Sequence, residues 1–525
     1  MSQPNETRPD PHTIMDDWRV LPPTPHRTLE DYIAAGGGEG LRAARAVEPD
    51  VVLGELAASG LRGRGGAGFP TAEKWRTVAG FAADALATPV VVNAAEGEPG
   101  TYKDRAILLA NPYAVLEGAL IAARVVGARE VTVATKERFT EVVTRVRSAI
   151  REIEAAGWNG DVTMSIVTGP AEYLYGEETA LLEVLDGRPP FPRIAPPWRR
   201  GNIEVVRSDE DVTSGSGVAA EVVMATPSSP ITDSEAPPTL VNNVETMANV
   251  PAIIAKGAAW FRSLGTDESP GTVVCTVTGD VRHPVVVEVP MGVSLRSVID
   301  RTIGHGDADE SPRIAAVLLG VSNPILHADL DVPVSYEAMR ARGTALGSAS
   351  FIVVDERTDP VALAAGVSRF LAIESCGQCT PCKQDGLEIA ARLRAICTTG
   401  GTDDDLAQVQ KRLDTITTGA RCNLATQHQL VVGSILDAFS TRVELHLGER
   451  HQPVEPALIA ELLRIDDDTV TLDEDLLRKQ PDWTLSPDAE ASLLETSDVA
   501  ARTPVDRLTD HRKHDGPQGT AAEQT

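Results

Sequence analysis

The sequence predicts an α/β protein made of three successive ordered units, and three observations carry that prediction. Through the first half, apolar runs of strand length alternate with stretches of helical periodicity, the pattern of a layered α/β domain. A shorter stretch, 271–355, pairs two strand-like runs across a turn and adds a helix and further strands. Beyond Pro360 the apolar positions keep a helical period to about Leu447, and this stretch carries three cysteines within seven residues.

Taken in order, residues 1–27 are polar and Pro-rich, and they predict disorder. Thr28 to Ser59 has the apolar spacing of helix. The glycine-rich loop GLRGRGGAGFP, Gly60 to Pro70, follows. Val90-Val91-Val92 reads as a buried strand ending in NAAEGEPG. Residues 111–127 predict a helix with Pro112 at its start. Glu130 to Thr135 alternates as a strand, Phe139 to Ala156 reads as helix, and Val162 to Thr168 as strand. GPAEYLYGEETALLEVL is a loop entering a helix. This α/β domain spans 28–265, with a Pro-, Ser- and Gly-rich surface excursion at 199–238. The second unit, 271–355, holds strands at Thr272–Thr278, Val285–Val289, Ala315–Leu319 and Phe351–Val354, with a helix near Leu295–Arg301. The helical unit spans 360–447. The acidic tail, 449–525, has helix potential at Leu458–Leu463, no visible chemistry and a disordered end.

Composition bounds the function. The 525 residues leave room for three or four domains at ~150 residues each. Lys+Arg 48 against Asp+Glu 76 gives a net charge of −28, which argues against general nucleic-acid binding and against docking on anionic lipid. No apolar run reaches the roughly 20 residues of a spanning helix. The N-terminus shows no secretory signal, so a cytoplasmic location without direct membrane insertion is expected. Six cysteines do not make a disulfide scaffold, and their clustering points to metal or redox chemistry.

Cys376-Gly-Gln-Cys379-Thr-Pro-Cys382, followed much later by Cys422, is the sharpest motif. Four thiolates suit an iron–sulfur cubane, and they also suit a tetrahedral zinc, which is more often held by two separated CxxC pairs. Cys397 rivals Cys422 as fourth ligand; Cys422 is preferred because it follows Gly-Ala-Arg and precedes an apolar helix, as a loop ligand does. Cys275 lies in a β-rich run and reads as a small buried hydrophobe.

Gly60 to Gly68 lets backbone N–H groups approach a phosphate or a flat ring. GRGGAG at 63–68 matches GxGxxG, but helix rather than strand precedes it, so the dinucleotide fingerprint does not apply. A plain turn accounts for it equally well. Lys74 offers a phosphate counter-charge. Glu96 and Glu98 follow the strand at 90–92, where α/β sheets bind ligands; acid/base work, ribose binding and a solvated turn all fit them. Gly176-Glu177-Glu178-Thr179 and Asn242-Asn243 stand at helix entrances, where ligand binding and ordinary capping both fit.

Five segments occur in one order: SGLRGRGGAGFPTAEKW, NAAEGEPGTYKDR, YGEETALLEVLDG, TLVNNVET and ESCGQCTPCKQDG. Together they resemble the NADH-binding flavoprotein subunit of respiratory complex I and the related diaphorase subunits of NAD-dependent formate dehydrogenases and NAD-reducing hydrogenases. The resemblance runs from about Thr28 to Leu447. It implies a modified Rossmann-like FMN and NADH domain, a ubiquitin-like β-grasp domain and a C-terminal helical bundle holding a [4Fe–4S] cluster. By resemblance Gly63, Arg64, Gly65, Gly66, Lys74, Asn93, Tyr173, Gly176, Asn242 and Asn243 cradle FMN. Phe69, Glu96, Glu98, Glu177, Glu178 and Trp198 surround the NADH site, and Cys376, Cys379, Cys382 and Cys422 ligate the cluster. The implied activity is NADH:acceptor (quinone) oxidoreduction, with electrons leaving to a thioredoxin-like or ferredoxin-like [2Fe–2S] subunit of a larger dehydrogenase or quinone-reductase complex. Such partners would hold the chain at the inner face of the cell membrane.

The chain departs from the family pattern. Ala95 stands where the family has an aspartate near the flavin ring. Pro170, Glu172 and Tyr175 alter the next motif. Ala195 and Trp198 replace a lysine and a phenylalanine, with Arg199 nearby. These changes motivate an alternative, a non-catalytic relay or assembly paralogue that keeps flavin and cluster but binds NADH weakly.

Overall fold

The computed structural model describes residues 19–81, 88–194, 238–303, 313–327, 329–448, 451–466, 468–487 and 503–507. They form two compact units. One lies within Met1–Thr358 and takes in Glu461–Leu472; the other lies within Asp359–Ala460 and Asp473–Thr525. Ala195, Trp198 and all but the last residue of the 199–238 excursion lie outside the described residues.

The first unit is built on a four-stranded parallel sheet of β1 (Val90–Ala94), β2 (Glu130–Lys136), β3 (Thr163–Gly169) and β4 (Leu240–Asn243), in the order β3-β2-β1-β4. Val90, Val91 and Val92 are all buried, because a central parallel strand is covered on both faces. The chain leaves β1 towards β2 and β3, then returns to place β4 on the other side of β1. Open α/β sheets bind ligands at such a reversal, in the crevice beyond the carboxyl ends of the strands; here it falls at β1 and β4. The crossover helix Pro112–Val126 starts on an Asn111 side-chain cap and ends at Gly127, whose φ of 69° is the left-handed C-terminal stop. It lies backbone to backbone on helix Val244–Lys256: a Cβ at Gly118 would stand 2.1 Å from the Met247 carbonyl. β4 is only four residues long, too short for its period to show in the sequence.

The same unit contains a five-stranded mixed sheet of β5 (Thr272–Gly279), β6 (Val285–Pro290), β7 (Ile314–Leu319), β8 (Asn323–His327) and β9 (Ser350–Asp355), ordered β6-β5-β9-β7-β8. β5 and β9 run parallel, and the other neighbours are antiparallel. Val277, Phe351, Leu295 and Ile299 share its core with Cys275, which is fully buried as the sequence predicts. β8 escaped the sequence reading because Pro324 interrupts its pattern.

Two expectations are corrected. Residues 19–27 are not a disordered extension in their entirety: the backbone N–H groups of Val20 and Leu21 donate to the Glu288 carboxylate at 3.0 and 2.9 Å, and Val20 is buried. A polar stretch reads as disorder when its partner lies far along the chain. Leu458–Leu463 is not helix. Leu462–Asp466 is strand β10, paired antiparallel with β11 (Thr469–Leu472). The alternation Leu462, Arg464, Asp466 against Leu463, Ile465 is the strand signal that the apolar content obscured.

The second unit is helical, with Pro360–Glu374, Thr380–Thr399, Asp403–Thr415, Leu424–Ala438 and Ser440–Glu444. Asp359 caps the first through the N–H groups of Val361 and Ala362, and Thr402 and Asp405 form a capping box on the third. Among the described residues no single helix is long and apolar enough to cross a membrane.

Candidate functional site

The carboxyl ends of β1 and β4 gather the sequence motifs. Gly63 N–H donates to the Phe69 carbonyl at 2.8 Å and closes the glycine loop. The loop is pinned to the start of helix Val244–Lys256, because Arg64 N–H donates to Thr246 Oγ1 at 2.9 Å. Gly65 is exposed, and a Cβ there would come within 3.0 Å of the Asn243 Cβ. Gly66 has open space around it and a φ of 148°. An open glycine edge backed by asparagines presents backbone donors to a flat, polar ligand. On the far side, Asn93 Nδ2 donates to the Gly176 carbonyl at 2.9 Å, and a Cβ at Gly176 would meet the Ala95 carbonyl at 2.9 Å. Lys74 lies beside it, its ammonium 2.5 Å from the Glu178 carboxylate. Asn242 Oδ1 accepts from the buried Trp75 indole at 2.8 Å.

Beneath these loops lies a buried ion network. Lys103 Nζ sits 2.7 Å from Asp104 and 2.9 Å from Glu245; Arg105 Nε sits 2.8 Å from Glu96; Arg64 Nε lies 3.9 Å from Glu245. Three cations face three carboxylates, the balance a low-dielectric interior requires. Burial alone would lower the Lys103 pKa, but Asp104 and Glu245 outweigh it and raise it. Asp104 is pushed up to about 6 by burial, with Lys103 opposing and Glu96 adding to the rise. Asn243 joins the network to the site. Its Nδ2 donates to Asp104 Oδ2 at 2.6 Å, while its Oδ1 caps the helix at Glu245 N–H, 2.9 Å away.

The network fixes what two predicted site residues do. The Arg64 guanidinium points into the protein, donating to the Tyr336 hydroxyl and the Pro270 carbonyl. The Glu96 carboxylate is buried and accepts from Asp104 N–H as well as from Arg105. Both support the crevice from behind. Glu98 accepts from the Tyr173 hydroxyl and from Val321 N–H, both at 2.6 Å, and burial raises its pKa. Glu177 caps helix Glu178–Leu185 through Thr179 and Ala180 N–H at 3.0 and 2.8 Å, and burial raises its pKa also. Trp198 lies outside the described residues.

Sequence reasoning missed Lys103, Asp104, Arg105 and Glu245 as supports of this site. Three consecutive charges inside a helix of apolar residues, Lys103–Ala110, were the available signal. Ala95 packs in an apolar pocket with Val91, Ala134, Tyr175, Leu181, Leu182 and Val241. The large Tyr175 ring fills space there, against Gly169.

In the second unit, Cys376, Cys379 and Cys382 surround the entrance of helix Thr380–Thr399, with Cys376 and Cys382 buried and Cys379 and Cys422 partly exposed. Gly377, φ 80°, supplies the tight turn between the first two. Gln378 Nε2 donates to Cys376 Sγ, and Ser375 Oγ lies against Cys382 Sγ, both at 3.4 Å. Burial raises the thiol pKa of Cys376 and pushes Cys382 up to about 11, which favours the protonated form of both; a bound cationic centre would favour the thiolates. Among the described residues no three His, Cys, Asp or Glu side chains converge as ligands of one metal ion. Cys397 is buried with its thiol on the Arg394 carbonyl at 3.2 Å.

Comparison with known proteins finds similarity in both units. A family model described as the Nuo51 FMN-binding domain matches residues 56–252, and one described as the NADH-ubiquinone oxidoreductase-F iron–sulfur binding region matches residues 362–446. The F subunit of the NADH-quinone oxidoreductase of Streptomyces coelicolor is 35% identical over 440 residues, covering 82% of this chain and 90% of the relative. HndC, a subunit of the NADP-reducing hydrogenase of Solidesulfovibrio fructosivorans, is 33% identical over 442 residues, covering 81% and 82%. The crystal structure of an NAD+-reducing [NiFe]-hydrogenase in the H2-reduced state aligns with a TM-score of 0.66 at 32% identity, covering 81% of this chain and 67% of that one.

Proposed function

Because the chain belongs to the family of FMN- and iron–sulfur-binding NADH oxidoreductase subunits of type F, we propose that its crevice beyond β1 and β4 takes a hydride from NADH and that the electrons leave singly to a partner subunit. The observation that carries this reading is the convergence of the glycine loop, Asn93, Gly176 and Asn243 on one crevice. FMN and a [4Fe–4S] cluster are its cofactors. Bound in the crevice, FMN supplies the conversion between a two-electron hydride donor and a one-electron acceptor.

The chain's own residues bind and orient. Gly63, Gly65 and Gly66 present backbone N–H groups, and Arg64 and Glu96 hold the loops behind them. Lys74 offers its charge to the flavin phosphate in exchange for Glu178. Asn93, Tyr173, Gly176, Asn242 and Asn243 line the flavin, while Phe69, Glu98, Glu177, Glu178 and Trp198 lie towards the dinucleotide. Carboxylates beside the ribose favour NADH, since a 2′-phosphate would be repelled. Cys376, Cys379, Cys382 and Cys422 hold the cluster. In this reading the mixed sheet β5–β9 is the family's β-grasp domain and helices 360–447 its cluster-bearing bundle. The outlet is a thioredoxin-like or ferredoxin-like [2Fe–2S] subunit of a larger complex; that relatives such as those of Streptomyces coelicolor and Solidesulfovibrio fructosivorans are named as subunits supports the larger complex. The chain would then work in the cytoplasm, at the inner face of the membrane through its partners.

The test is anaerobic stopped-flow absorbance of the FMN- and cluster-loaded chain mixed with NADH, with NADPH in parallel. Rapid bleaching of the flavin band by NADH is expected. A fully loaded chain that does not bleach would favour the relay reading instead.

A further inference from the structure

We propose that the C-terminal segment Glu461–Leu472 is a structural wall of the flavin and dinucleotide site, and that Glu461 is a positioning residue acting through Lys136. This rests on the reading of the crevice as that site. The segment lies beyond the residues matched by either family model, yet it belongs to the first unit.

Two buried cations bolt it to the turn that carries Glu96, Gly97 and Glu98. Lys136, at the carboxyl end of β2, is fully buried, and its Nζ lies 2.7 Å from the Glu461 carboxylate and 2.9 Å from the Ala171 carbonyl. The same Nζ packs so closely on Gly97 that a Cβ there would stand 2.7 Å away. Ala171 is two residues before Tyr173, whose hydroxyl holds Glu98. Arg138 reaches the same Glu461 oxygen at 3.0 Å. The second cation, Arg105, holds Glu96 with Nε and donates Nη1 to the Leu462 carbonyl at 2.6 Å. Lys136 therefore touches both the 96–98 turn and the 171–173 turn, and Glu461 supplies its counter-charge. A buried ammonium without a counter-charge either loses its proton or draws in water. Either change releases both turns.

The experiment compares the full chain with E461Q and with K136M/E461M, which removes the buried pair at similar volume and leaves the partly exposed Arg138 in place. Three quantities are read: hydrogen exchange of the FMN-free chain, FMN affinity by fluorescence quenching, and melting temperature. For E461Q we expect faster exchange in peptides covering 94–104 and 169–176, and FMN binding weaker by about tenfold. K136M/E461M is expected to regain the melting temperature, as an apolar pair replacing a buried ion pair does. It should not regain FMN affinity, because Lys136 no longer holds the two turns. Should E461Q not accumulate folded, the double variant carries the test alone. Wild-type exchange and affinity in E461Q, or full recovery of affinity in the double variant, would overturn the proposal. Failure of the wild-type chain to bind FMN would instead sink the functional reading, while the exchange comparison still reports on the wall.

Discussion

Ala95 illustrates how a single position is adapted to its surroundings. Its pocket is apolar, closed by Tyr175 and Leu181. Restoring the family's aspartate alone would bury a carboxylate among apolar side chains, in a cluster whose polar group is the buried Tyr175 hydroxyl. Ala95→Asp is therefore expected to cost about 2–4 kcal/mol of stability, read as a lower denaturation midpoint, and not to improve NADH oxidation. The cysteines divide by environment. Cys422→Ser should lose acid-labile sulfide and the cluster's electron paramagnetic resonance signal, whereas Cys397→Ser should keep both, because Cys397 is buried on its own helix carbonyl. Glu98 predicts a pH effect. Its raised pKa means that the folded chain holds a proton the unfolded chain has released. Stability from this group is full below the ordinary carboxylate pKa and declines as pH rises through the raised value. Glu98→Gln, which keeps one acceptor for Val321 N–H, should remove that decline in urea midpoints measured across the acid range.

Helix Val244–Lys256 is the element on which the crevice depends. Asn243 caps it, Glu245 in its first turn anchors Lys103 and accepts from Val274 N–H at 2.9 Å, and Thr246 holds the glycine loop. One helical turn thus joins the parallel sheet, the mixed sheet and the site. Asn243→Ala should cost about 1 kcal/mol through the lost cap, and more because Asp104 Oδ2 loses its donor while Oδ1 stays on Lys103. Its diagnostic effect is weaker FMN binding alongside the lower melting temperature. Along the same helix, Gly118→Ala in the crossing helix would drive a methyl group into the Met247 carbonyl. It should cost about 2 kcal/mol or more with no polar group changed. The motif TLVNNVET announces the helix entrance, and Asn243 at its cap was legible for that reason. The service of Glu245 to another sheet was not, since its partner Val274 lies 29 residues on.

At the scale of the molecule, the FMN-binding region lies in the first unit and the iron–sulfur binding region in the second, and the second is expected to carry an acid limb of its own. His428 in the second unit is fully buried, its Nε2 paired with Ser368 Oγ at 2.7 Å. Burial lowers its pKa from 6.5 to about 3. Below pH 6.5 the unfolded chain takes up a proton that the folded unit refuses. Stability from this group is full above that value and falls as pH drops towards 3, at about 1.4 kcal/mol per pH unit. Unfolding followed by a probe in the second unit should show this acid limb, and His428→Gln should flatten it. A limb of equal slope in the variant would place the proton elsewhere.

The sequence by itself determined the layered α/β class, the helical cysteine-bearing unit, and the loops and cysteines proposed to make up the site. These follow from local signals: hydrophobic period, glycine spacing and a short-range thiolate motif act over a few residues. Tertiary structure alone decided which of the predicted residues face the crevice and which stand behind it. Arg64 and Glu96 went to the buried ion network because their counter-charges, Glu245 and Arg105, are brought together by the fold, and burial leaves an ion no choice but to pair. The docking of Glu461 on Lys136 belongs to the same class. It joins residues 325 positions apart, and no periodicity or motif in a single sequence records a contact made only when the chain closes on itself.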